Sequence, residues 1–139
     1  RVPNTYSLPL ALASAVALES YILDRVKIEG FKDQLLAQLR NSDLQFITPA
    51  GPDNLAKYLT LIFANVEADR LVLALQDAGF AVDSGSACRS ADMQPSHVLA
   101  AMNLPTAGGI RITFHPQIES NEVRDLGNAI ISCVKKLTN

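Results

Sequence analysis

Strand-like and helix-like stretches alternate along much of this chain, and that alternation limits the folds open to it more than any other feature. From Ile110 to His115, apolar and polar residues take turns: Ile110, Ile112 and Phe114 share one face, Arg111, Thr113 and His115 the other. Tyr58-Leu59-Thr60-Leu61-Ile62-Phe63 has the β-branched and aromatic content of a strand buried on at least one face. A helix follows, with Leu71, Val72, Leu75 and Ala78 as its inner stripe and Gly79 as its stop. Phe80-Ala81-Val82 reads as a further short strand. The last helix starts near Ser120 and buries Val123, Leu126, Ile130, Val134 and Leu137. Strands interleaved with helices specify an α/β layer, a small mixed sheet with helices packed on one side.

The first third is helical. Leu8, Leu12, Ala15, Val16, Ile22 and Val26 recur at helical spacing, which predicts a helix over residues 7–26, with Ser7 as N-cap and Pro9 in the first turn. Gly30 is expected to break or bend the path before a second helix carrying Phe31, Leu35, Leu36 and Leu39. Leu44 to Ile47 looks like a short strand, closed by a turn cluster from Thr48 to Asn54. Pro95 opens a helix with Val98, Leu99 and Met102.

With 139 residues, the chain is one domain's worth, able to bury a core of its own. A net charge of −2 gives no electrostatic footprint for nucleic acid or an anionic membrane. The run from Leu8 to Ala17 resembles the apolar stretch of a signal peptide. It flows into an amphipathic helix, however, and Glu19 and Asp24 interrupt it before it reaches membrane-spanning length.

Two cysteines occur, far apart. Cys88 follows Ser84-Gly85-Ser86-Ala87, so it is expected on an accessible loop; Cys133 falls on the apolar side of the last helix and reads as a small core residue. Their separation suits neither a disulfide framework nor a zinc site, even with His97 and His115 included, and points to a reducing, cytoplasmic setting. A thiolate is the nucleophile in thiol chemistry, and Arg89 puts a cation beside Cys88; a free surface cysteine is the plainer reading of the same residues. Arg111, on the polar face of its strand, could hold a carboxylate with two parallel N–H groups. It could equally be an ordinary solvated or ion-paired arginine.

In order and spacing, Ser84-Gly85-Ser86-Ala87-Cys88, then Gln94-Pro95-Ser96-His97-Val98-Leu99, then Ile110-Arg111-Ile112-Thr113 resemble the C-terminal part of a cysteine desulfurase, a class-V aminotransferase-like enzyme dependent on pyridoxal phosphate. Gln94 stands where that family usually has glutamate, and Arg1-Val2 where it has Gly-Thr. A weaker resemblance covers nearly all of residues 1–139. It implies the small C-terminal domain of a fold-type I enzyme, with a long linking helix at its start. It also implies Cys88 as the thiol that takes sulfur from L-cysteine and becomes a persulfide, and Arg111 as the grip on the substrate carboxylate. The implied partners are a sulfur acceptor, such as an iron–sulfur scaffold protein, and a second copy in a homodimer.

No lysine here stands in a setting like the family's cofactor loop, and no glycine-rich phosphate turn is present. The expectation is that pyridoxal phosphate belongs to a large domain outside residues 1–139, leaving this chain alone without cofactor and inactive. The missing domain would also cover apolar helix surface that this chain alone exposes, which predicts self-association. Two other functions share these residues: a non-enzymatic persulfide carrier or docking module, and a selenocysteine lyase-like domain.

Overall fold

The computed structural model describes residues 7–49, 56–84 and 97–138. Helix α1 spans Leu8–Arg40, 33 residues, about 50 Å at 1.5 Å per residue. Ser7 stands at its N-cap with extended backbone and accepts the Ala11 N–H through its carbonyl at 3.0 Å, but its hydroxyl makes no capping bond. The expected break at Gly30 does not occur, and α1 runs straight through it. An interior glycine costs a helix about 1 kcal/mol relative to alanine. Ile28, Phe31, Leu35 and Leu39 form one buried stripe across that position, each contributing about 1.5–3 kcal/mol on full burial. The stripe outweighs the glycine. The N-terminal half of α1 is different: Leu8, Leu10, Leu12, Val16 and Leu18 are between 59% and 70% exposed.

Strand β1 (Tyr58–Ile62) pairs antiparallel with β2 (Gly109–Thr113), Thr60 standing opposite Arg111. Each outer edge adds one bridged residue, Ile47 beside Ile62 and Asp83 beside Arg111, so every described pairing is antiparallel. The Leu44–Ile47 strand therefore shrinks to a single bridge, with N–H···O distances of 2.9 and 2.8 Å.

Helix α2 (Ala68–Asp77) explains why Phe80-Ala81-Val82 forms no ladder. Gly79, at φ +89°, ends the helix in a paired turn: its N–H reaches the Gln76 carbonyl at 2.9 Å, and the Phe80 N–H reaches the Leu75 carbonyl at 2.9 Å. The Phe80 donor is thus committed to the helix end, and pairing with β2 begins only at Asp83. No atom lies within 4 Å of a β-carbon added at Gly79, so its requirement is purely a backbone one. Gly79→Ala is expected to cost about 1 kcal/mol, read as a lower denaturation midpoint at unchanged slope. No measurable loss would show that the turn does not fix the path to Asp83.

The short helix α3 (His97–Ala101) precedes β2, and α4 (Ser120–Thr138) follows it. Leu59, Leu61, Ile110 and Ile112 face a core shared with α1, α2 and α4, where Leu35, Leu71, Leu75, Val123 and Ile130 are all but fully buried. Pleating turns Tyr58, Thr60, Arg111 and Thr113 to the opposite face. Helices α1, α2 and α4 thus gather on one side of a small sheet, as expected, while the short α3 approaches the other. At the far end of the outer face, Leu99 of α3 lies over Gly109 and Ile62.

The start of α4 is held twice. Glu122 reaches back to the Glu119 N–H at 2.7 Å, half of a capping box. Gln34 and Ser120 exchange two hydrogen bonds, at 2.8 and 2.7 Å, while Lys27 donates to the Pro116 carbonyl at 2.7 Å. These contacts lock α1 against α4 behind the sheet.

Candidate functional site

Alternation along β2 sends Arg111 away from the core, and the Gly79 turn brings Asp83 alongside it. The two residues exchange backbone hydrogen bonds, Asp83 N–H to the Arg111 carbonyl at 3.1 Å and the Arg111 N–H to the Asp83 carbonyl. Their side chains meet as well, Arg111 Nη2 donating to the Asp83 carboxylate. These side chains are 48% and 32% exposed, so the pair contributes at most about 1 kcal/mol to stability. The guanidinium carbon also stands 5.8 Å from the centroid of the Tyr58 ring, and Lys57 Nζ 4.9 Å from the same ring. Two cations thus stand near one aromatic ring, each attracted by its quadrupole. Among the described residues this places Arg111, Lys57 and Asp83 around Tyr58 on the outer face.

Other expected residues fall at varying distances from this group. His115 is exposed beyond the end of β2, and its Nδ1 accepts the Gln117 N–H at 3.3 Å. Cys133 is buried, its thiol 3.7 Å from the Ala74 carbonyl, which makes it the small core residue its helix position predicts. Cys88, Arg89, Gln94 and Pro95 lie outside the described residues, as does most of the Thr48–Asn54 turn; His97 opens α3. Among the described residues no three His, Cys, Asp or Glu side chains gather as metal ligands.

Pyridoxal phosphate requires a lysine, donors for its phosphate and a carboxylate for its ring nitrogen. Lys27 is engaged with Pro116, Lys32 lies on α1, Lys57 lies over Tyr58, and Lys135 and Lys136 close the last turn of α4. A groove of about 190 Å³ between residues 79–82, β2 and α4 contains Glu122 and no lysine. The described residues do not fit the cofactor.

Asp83 was not among the residues the sequence singles out. Its signal was an acidic residue closing the Phe80-Ala81-Val82 run beside a turn. Which residue it meets on the neighbouring strand depends on register, which alternation alone does not supply.

A small antiparallel sheet backed by α1, α2 and α4 thus carries Arg111 on its outer face, bonded to Asp83 at the sheet edge. The chain belongs to the aminotransferase class-V family, which it matches over residues 2–126. It is 32% identical over 132 residues to a cysteine desulfurase of Bradyrhizobium diazoefficiens, covering 92% of this chain and 33% of that protein. It is likewise 32% identical over 128 residues to the cysteine desulfurase IscS of Pseudomonas fluorescens, covering 90% and 31%. The chain therefore spans about a third of the length of these relatives. Among solved structures, a NifS-like protein superposes with a TM-score of 0.75 at 24% identity, covering 97% of this chain and 36% of the other. A NifS-like protein from Rickettsia africae gives 0.68 at 21%, covering 91% and 32%. At those identities the likeness speaks for the fold. The family resemblance carried by the cysteine and arginine motifs is borne out, and no described helix is long and apolar enough to cross a membrane.

Proposed function

We propose that this chain is the sulfur-accepting part of a pyridoxal-phosphate-dependent cysteine desulfurase, with the cofactor held by residues outside 1–139. The reaction converts L-cysteine and the Cys88 thiol into L-alanine and a Cys88 persulfide. The substrate Cβ–S bond breaks, an S–S bond forms, and the carbon takes up a proton. Cys88 is the nucleophile, and Arg111 binds the substrate α-carboxylate. The persulfide passes to an acceptor protein such as an iron–sulfur scaffold, and the enzyme works as a cytoplasmic homodimer, the exposed leucines of α1 being covered in the assembly.

The observation carrying this reading is the double backbone bond between Asp83 and Arg111. It fixes the root of the Ser-Gly-Ser-Ala-Cys segment beside an arginine whose guanidinium stands on the open face of the sheet. Cys88 follows Asp83 by five residues in the sequence, so the chain keeps it within about 18 Å of that pair. Such a tether is short enough to meet a substrate held at Arg111 and long enough to leave it.

Arg111→Lys tests the clamp. Lysine keeps the charge but loses the planar fork, and a hydrogen bond to a charged group contributes about 1.5–3 kcal/mol. In the natural polypeptide that carries this chain, the apparent KM for L-cysteine should rise by about tenfold or more. An unchanged KM overturns the assignment.

A further inference from the structure

We propose that Asp83 is an internal competitor for Arg111, a carboxylate built into the fold that opposes the substrate carboxylate at the same guanidinium. This rests on the reading of Arg111 as the substrate clamp, and it adds a residue that sets how tightly the clamp holds.

The geometry carries the inference. Asp83 is held beside Arg111 by two backbone hydrogen bonds, so its side chain meets the guanidinium without any loop having to close. The contact is made through Nη2. An arginine offers a carboxylate two bidentate forks, side-on through Nε and Nη2 and end-on through Nη1 and Nη2. Nη2 is common to both. It has one hydrogen for each fork, so an incoming carboxylate either takes the remaining fork beside an anion bonded to the same nitrogen or displaces Asp83 from its own. The first course meets like-charge repulsion. The pair is half open to water, which makes the exchange feasible: an exposed ion pair is weak enough to be replaced. The Tyr58 ring, 5.8 Å from the guanidinium carbon, adds a cation–π attraction that favours this placement of Arg111.

Removing the charge of Asp83 should tighten carboxylate binding. A unit charge about 4–5 Å away in a watery site corresponds to about a fivefold change in affinity. The backbone bonds do not involve the side chain, so Asp83→Asn keeps the bridge to β2.

The test uses the natural polypeptide and two probes, L-cysteine and 3-mercaptopropionate, which keeps the carboxylate and thiol but lacks the ammonium. Equilibrium binding of 3-mercaptopropionate is measured calorimetrically, and the apparent KM for L-cysteine kinetically, for the parent protein, Asp83→Asn, Asp83→Ser and Arg111→Gln. A fall of about fivefold in both the Kd and the KM in both Asp83 variants is the expected result. Unchanged values in the Asp83 variants, with both raised in Arg111→Gln, overturn the competition and leave the clamp standing. A higher KM for L-cysteine in Asp83→Asn also overturns it, by making Asp83 a partner for the substrate ammonium or an orienting group for the arginine. If Arg111→Gln matches the parent in both measurements, the clamp itself is wrong and the competition falls with it.

Discussion

Gly108→Ala should destabilise the fold by about 3–4 kcal/mol, through a left-handed backbone and a backbone collision that add. Gly108 sits at φ +73°, where a β-carbon is strained whatever the space around it. The space is also filled. An added β-carbon would stand 1.9 Å from the Phe63 carbonyl oxygen and 2.7 Å from that of Val66, and neither is a side chain that can swing away. Relief would require moving the end of β1, which breaks the Phe63 N–H bond to the Gly108 carbonyl at 3.1 Å. For a chain of this size the melting temperature should fall by about 10 °C or more. Arg111 lies three residues further along the chain in β2, so the same substitution should also disturb its pairing with Asp83. A stability loss under about 1 kcal/mol would mean the approach to β2 is far more yielding than this close contact implies.

Cys88→Ser is the second large effect, and it falls on chemistry and leaves stability alone. A serine hydroxyl stays protonated at neutral pH and forms no persulfide, so nothing replaces the thiolate as acceptor of the substrate sulfur. Sulfur transfer in the natural polypeptide should drop by about a thousandfold or more, with the denaturation midpoint unchanged. Cys133→Ser supplies the contrast. That thiol is buried in α4 against the Ala74 carbonyl, so the substitution should lower stability and leave sulfur transfer intact. Equal losses of activity in the two variants would remove the special role given to Cys88.

How much of this was legible in the sequence follows from which features are local. Period-two alternation placed Ile110 and Ile112 inward and Arg111 outward, because each strand residue's side depends only on its position along the strand. The stripe of α4, from Val123 to Val134, was legible for the same reason at helical period. Gly30 misled because a local helix breaker competes with burial on either side of it, and burial depends on where α4 packs. The Phe80–Val82 run looked like a strand by composition, yet the Gly79 turn draws the Phe80 donor back to Leu75, a choice fixed by the geometry of the helix end. Asp83 stayed hidden because its importance lies in register with β2. The cysteine segment was recognised through its motif, which carries chemistry without geometry.

The central claim is that sulfur from L-cysteine passes to Cys88. A single turnover of the natural polypeptide with sulfur-labelled L-cysteine, followed by alkylation, digestion and mass analysis of both cysteine peptides, tests it most directly. The account predicts one added sulfur on the Cys88 peptide, L-alanine in equal amount, and an unmodified Cys133 peptide. Label on Cys133 instead, or alanine formed with no sulfur on either peptide, would contradict it.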